Sequence, residues 1–305
     1  MPKPHVSLAR QCISAAVFSA MAFSVFVTDV ATAQTKGAVQ FKAQLPQAIR
    51  DQKEFRVGVR CDYPSRGTLD ANGKNVGIEP DIARKFAEYA FGDSSKVAFT
   101  CVTAESRIPF LTSNRVDFLI ATLGYTPERA KVIDFSEPYY ASFGKMLTRV
   151  ETPSFTNLEG GMGKTILAVS GTPYGQFAEK CLRSTAVRQF KTVSDAVADL
   201  ANDRGFGFVH DSSAIDTIAA NNPKLKINGP DLDIGFATSI GVRKGEDDLR
   251  NWINEALGKM QAEDWFAGVV TGYFTTDLER QDALKVIRRP GKTPVYSKYT
   301  GTVNC

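Results

Sequence analysis

Residues 117–140 read DFLIATLGYTPERAKVIDFSEPYY, and this stretch constrains the chain more than any other. Phe118-Leu119-Ile120-Ala121 is a short apolar run of the length of a buried strand. It halts at Thr122-Leu123-Gly124-Tyr125. Thr126-Pro127-Glu128-Arg129 then opens a helix, with Thr126 as N-cap, Pro127 at the first helical position and Glu128 in the first turn. A strand whose C-terminal end runs into a helix N-terminus is the repeating step of an α/β sheet. The free amides and positive dipole end there, together with the Arg129 charge, make an anion site. The planar guanidinium fork suits a carboxylate, which it can hold through two parallel hydrogen bonds. The plain alternative is a solvated arginine on a well-capped surface helix.

The flanking residues carry a resemblance. Ser106-Arg107-Ile108-Pro109-Phe110-Leu111, Asn114-Arg115-Val116-Asp117, Thr126-Pro127-Glu128-Arg129 and Asp134-Phe135-Ser136-Glu137-Pro138-Tyr139-Tyr140 occur in that order. Together they resemble the pattern of the type 3 periplasmic solute-binding proteins of ABC importers, the polar amino-acid-binding family. Gly77-Ile78-Glu79-Pro80-Asp81-Ile82-Ala83 resembles the same family's G-[FY]-D-x-D-L-A helix start. Pro80 departs from it, although proline is tolerated in a first helical turn.

The N-terminus reads as a targeting segment. Lys3 and Arg10 are basic, residues 12–27 are apolar or small, and Ala31-Thr32-Ala33 fits an A-x-A cleavage site. We therefore expect residues 1–33 to be a cleaved signal peptide, with the mature chain starting at Gln34 in the periplasm. A single membrane anchor is the alternative, but the apolar run is short for a span. The net charge of +4 is mild and no basic run stands out, which gives no sign of nucleic-acid binding.

Apart from Cys12, the cysteines are Cys61, Cys101, Cys181 and Cys305. Four cysteines allow three pairings, and export favours disulfides. Cys61 and Cys101 each end a strand-like run, RVGVRC and VAFTC. If those strands are neighbours, their ends meet, which predicts Cys61–Cys101 and, by elimination, Cys181–Cys305. A metal site is the alternative. It is disfavoured because no C-x-x-C occurs and His210 is the one histidine after the signal segment.

Two catalytic-looking motifs fail on physical grounds. Gly163-Lys164-Thr165 lacks the leading glycine of a phosphate loop, with Leu158 in its place, and it precedes its strand instead of following it. His210-Asp211-Ser212 cannot form a triad, because adjacent residues do not line up as base, orienter and nucleophile.

The alternation of strands and helices argues α/β. The resemblance implies the two-lobed periplasmic-binding-protein fold, type II or Venus-flytrap, with two interlobe crossings. Lobe I is expected over 40–141 plus 240–305 and lobe II over 142–239. The ligand is expected between them, at strand C-terminal ends. By resemblance, Arg129 meets the α-carboxylate, with the Gly124 amide and Thr172 completing that shell. Asp211 at the end of the strand 205–209 and Thr122 hold the α-ammonium; Asp211 as the N-cap of the following helix is the alternative. Tyr63 covers the ligand. Gly171-Thr172 forms a turn at a helix start, where Thr172 is expected to cap the helix while Pro173 removes one donor. In relatives that bind acidic amino acids, arginines matching Arg60 and Arg107 reach the side chain, while in others they are structural.

The resemblance implies capture of a polar amino acid, possibly glutamate or aspartate, and delivery to an ABC permease. It implies a monomer that needs no cofactor or metal and catalyses nothing. A few proteins of this fold are exported prephenate-type dehydratases, for which Glu79, Glu105 or His210 would have to serve as acid or base. A sensory ligand-binding domain is a third possibility.

Overall fold

The structure is a computed structural model that describes residues 37–274, 276–291 and 303. The expected signal peptide, residues 1–33, lies outside the described residues. Among the described residues, no helix is long and apolar enough to cross a membrane.

The chain opens with α1 (Gln47–Gln52) and β1 (Phe55–Val59). A small antiparallel sheet follows, made of β2 (Asp62–Tyr63), β3 (Gly67–Leu69) and β4 (Asn75–Val76). Next come α2 (Ile78–Phe91), β5 (Val97–Cys101), α3 (Arg107–Thr112), β6 (Phe118–Ile120), α4 (Pro127–Ala130) and β7 (Ile133–Phe135). The long β8 (Tyr140–Arg149) leads into β9 (Thr165–Val169), α5 (Tyr174–Lys180), β10 (Ala186–Phe190), α6 (Val193–Ala201), β11 (Gly207–Asp211) and α7 (Ser212–Asn221). The rest is β12 (Leu225–Ile227), β13 (Leu232–Thr238), β14 (Gly241–Arg243), α8 (Asp247–Ala262), α9 (Trp265–Tyr273) and α10 (Asp277–Val286).

Among the described residues the larger sheets are five-stranded, in the order β5-β1-β6-β14-β7, and six-stranded, in the order β10-β9-β11-β8-β12 with β13 also on β8. β5, β1 and β6 run parallel, as do β10, β9 and β11. Parallel strands need both faces covered. In the first sheet, Phe55, Val57 and Val59 pack with Phe86, Trp252 and Phe266 on one face. Leu111, Leu119 and Leu123 close the other. In the second sheet, Leu167, Leu200 and Phe208 form one core and Ile166, Phe177 and Val209 the opposite one. The result is a two-lobed α/β protein, one sheet to a lobe.

α2 shows how local chemistry sets an element. Gly77 at φ 132° admits the turn that starts it, Glu79 and Asp81 sit in its first turn, and Ile78, Ile82 and Phe86 are buried. Gly92 in the left-handed region ends it, its amide donating to Glu88 O. α8 opens on a polar first turn, where Asp247 and Asp248 favour the dipole's positive end, and buries Leu249, Trp252, Ile253 and Leu257 further on.

The lobes are joined where β7 passes into β8 and where β13 passes into β14. These crossings touch: Tyr139 N donates to Thr238 O at 3.0 Å and Ser136 N to Ile240 O at 2.9 Å. Arg288, buried, donates from Nε to Pro138 O at 2.8 Å and pairs with Glu137. α10 packs against α7 and β8, and Val303 against the second core of lobe II.

Cys61 and Cys101 are joined in a disulfide with Cα atoms 5.5 Å apart. The cause is the parallel β1–β5 pairing, which sets Val59 beside Cys101. Cys181 is also disulfide-bonded; its expected partner, Cys305, lies outside the described residues.

Candidate functional site

A cavity lies between the lobes at the C-terminal ends of the parallel strands, and all eight residues singled out from the sequence line it: Arg60, Tyr63, Arg107, Thr122, Gly124 and Arg129 from lobe I, Thr172 and Asp211 from lobe II. Its volume is about 30 Å³.

The expected α4 start forms: Thr126 Oγ1 accepts from Arg129 N at 3.2 Å, with Pro127 at the first position. The Arg129 guanidinium turns toward the cleft, donating to Gly124 O at 2.7 Å and, across the cleft, to Gly171 O at 2.9 Å. Burial lowers its pKa to about 10, so it stays charged at neutral pH.

Thr122 adopts φ 50°, an uncommon conformation for a residue with a Cβ. It is held from both sides. Its N and Oγ1 donate to Glu79 Oε1 at 2.8 and 3.0 Å, and its carbonyl accepts from Arg107 Nη1 at 3.0 Å. Because the hydroxyl proton goes to Glu79, the Thr122 oxygen is left with lone pairs, the form an ammonium needs. Glu79 is fully buried and its Oε1 also accepts from Tyr139 Oη at 2.7 Å. It is therefore a structural hub.

Asp211 caps α7, its Oδ1 accepting from Ser213 N at 3.0 Å and Ser213 Oγ at 2.6 Å. Capping and facing the cavity, posed as alternatives in the sequence, coexist, because a carboxylate has two oxygens. Burial, and then the charge of this carboxylate, push the Tyr174 pKa well up.

One local expectation is overturned. Thr172 does not cap α5. Its Oγ1 donates back to Val169 O at 2.6 Å, and the N-cap position belongs to Pro173, which has no side chain to offer. The turn is nevertheless tight against the other lobe. Gly171 sits at φ 74°, and a Cβ there would lie 2.7 Å from Glu105 N.

Arg60 is buried and already engaged, Nε and Nη2 donating to the two Asp62 oxygens at 2.8 and 2.7 Å. Arg107 gives Nη1 to Ala121 O at 2.6 Å as well as to Thr122 O, while its Nε has no partner. Burial, and then the nearby Arg129 and Arg60 charges, push its pKa well below the ordinary value. Tyr63 is fully buried and belongs to the hydrophobic cluster of lobe II, although it follows the first lobe's β1. Its ring centroid lies 5.4 Å from that of His210, which also stacks on Tyr174 at 5.2 Å.

Sequence reasoning missed Ser142, Tyr174, Phe236 and Thr238, which with Pro173 and His210 complete the lining. Ser142, Phe236 and Thr238 lie on β8 and β13, whose mutual register carries no local signal. Asp62 was legible, since residues two apart on extended chain share a face and can pair. Among the described residues, no group of three or more His, Cys, Asp or Glu is placed to hold a metal ion.

Comparison with known proteins agrees with this geometry. The family model described as bacterial extracellular solute-binding proteins, family 3, matches residues 55–276. The chain is 29% identical over 257 residues to the ABC transporter glutamine-binding protein GlnH of Bacillus subtilis (strain 168), covering 81% of this chain and 93% of that protein. It is 25% identical over 228 residues to the ABC transporter arginine-binding protein 1 of Escherichia coli (strain K12), covering 73% and 91%. Among solved structures, the cysteine-binding protein of Campylobacter jejuni superposes with a TM-score of 0.74 at 27% identity, covering 79% of this chain and 98% of that one. The solute receptor for L-cysteine of Neisseria gonorrhoeae gives 0.71 at 28%, covering 74% and 92%.

Proposed function

Because the chain belongs to the family 3 bacterial extracellular solute-binding proteins, we propose that it captures a free α-amino acid in the periplasm and delivers it to the permease of an ABC importer. The observation that carries this reading is the placement of Arg129 and Asp211 on opposite lobes around one cavity. A zwitterion presents a carboxylate to the first and an ammonium to the second. The ligand then binds the closed arrangement better than an open one, and that difference drives closure. In this scheme Gly124 and Thr172 flank the carboxylate, Thr122 accepts from the ammonium, and Tyr63 covers the ligand. We take lobe I as 40–141 plus 240–305 and lobe II as 142–239, with residues 1–33 removed on export and Cys181 paired with Cys305. The protein acts as a monomer and needs no cofactor.

Names of relatives specify glutamine, arginine and cysteine as ligands, so family membership alone leaves the side chain open. The comparisons give no support to the dehydratase reading, and Glu79, its best buried carboxylate, is tied to Thr122 and Tyr139. A Kd near 1 μM needs about −8 kcal/mol, which two charge-assisted contacts plus burial can supply. A thermal-shift screen against the twenty amino acids, beside Arg129→Ala, tests the proposal. A ligand at 100 times its Kd adds about 2.7 kcal/mol, read as a raised midpoint in the parent and a much smaller rise in the variant. No shift with any amino acid sinks it.

A further inference from the structure

Resting on the reading that the cavity takes a free α-amino acid, we propose that Arg107 and His210 select its side chain, and that this side chain is uncharged and tipped by a hydroxyl or thiol. Once Arg129 and Asp211 hold the main-chain charges, the remaining nitrogen groups of the wall are Arg60, Arg107 and His210, beside the hydroxyls of Ser142, Tyr174 and Thr238. His210 is 2% exposed and neither ring nitrogen has a partner; Arg107 is 2% exposed with Nε unpartnered. Buried polar atoms left this way cost stability until a ligand satisfies them. Arg107 Nε can only donate. Burial holds the His210 pKa down to about 4, so at neutral pH the ring offers one donor and one acceptor. A hydroxyl or thiol, which accepts and donates at one atom, matches that set.

Charged side chains do not match. A basic one would meet Arg60, Arg107 and an uncharged imidazole, with the lining's acid, Asp211, given to the ammonium. An acidic one accepts but has no proton to give, so it would leave the acceptor nitrogen of His210 unsatisfied. Arg60 is already engaged through Nε and Nη2 by Asp62.

The test is calorimetric titration of the purified protein with serine, cysteine, alanine, aspartate, glutamate, glutamine, arginine and lysine. His210→Phe and His210→Gln are titrated alongside. We expect serine or cysteine to bind at least tenfold tighter than alanine and a hundredfold tighter than the charged amino acids. His210→Phe should lose the preference for serine or cysteine over alanine, while His210→Gln keeps part of it. A charged amino acid or glutamine binding best, alanine matching serine and cysteine, or a preference surviving in His210→Phe overturns the inference while leaving amino-acid capture intact. The ranking in the unaltered protein decides even if a variant fails to fold. No binding by any amino acid defeats the parent reading and this one with it.

Discussion

Tyr139 N and Thr238 O, on the two segments that join the lobes, are hydrogen-bonded at 3.0 Å. The crossings thus form one ribbon, and the cleft's two walls are hung from it. Tyr139 also donates from its hydroxyl to Glu79 at 2.7 Å, which ties the ribbon to the strand end that carries Thr122. Site and hinge share residues, so substitutions at either should register in both binding and stability.

Arg129→Ala should weaken binding of the best amino acid by at least about 30-fold, since truncating one side of a buried charge pair costs roughly 2 kcal/mol or more. Arg129→Lys should not restore it, because a point charge lacks the planar fork. Calorimetry decides; binding within threefold of the parent would remove Arg129 from the site.

Glu79→Gln should lower stability by about 1–3 kcal/mol, as hydrogen bonds from Thr122 and Tyr139 lose a charged acceptor. Urea unfolding measures this directly. An unchanged midpoint would mean that the Thr122 conformation does not depend on the carboxylate.

His210 makes stability depend on pH. Burial holds its pKa at about 4 against the ordinary 6.5, so on acidification the unfolded chain takes up a proton first. Stability should fall as pH drops from about 6.5 to about 4 and level off below, by up to roughly 3 kcal/mol from this group. The difference between the unaltered protein and His210→Gln, followed by urea unfolding across that range, isolates the effect; parallel profiles would count against it.

Gly171→Ala places a methyl 2.7 Å from Glu105 N at a residue with φ 74°. We expect weaker ligand binding, by about tenfold or more, and less contraction on ligand addition in small-angle scattering. Replacing Cys61 and Cys101 with serine should cost up to about 4 kcal/mol by the loop-entropy argument for a 40-residue separation, seen as a lower melting temperature.

Much of this was written locally in the sequence. The strand at 118–120, the Thr126 cap and the helix beginning at Ile78 follow from adjacent residues. The Cys61–Cys101 pair followed once two short strands were taken as neighbours. What stayed hidden depends on distant pairing or on competition. Ser142 and Phe236 reach the cavity through the β8–β13 register, which no window of sequence encodes. Thr172 looked like a cap, yet with Pro173 interposed its hydroxyl found the nearer Val169 carbonyl. Arg60, by resemblance either a ligand contact or structural, is engaged by Asp62.

Tyr63 belongs by chain connectivity to one lobe and by packing to the other. Parting the lobes must draw its ring out of an apolar socket, at a cost of about 2–3 kcal/mol for an aromatic fully re-exposed to water. The same ring that covers the cavity thus acts as a latch between the lobes, and release of a bound molecule has to undo this contact as well as the polar ones.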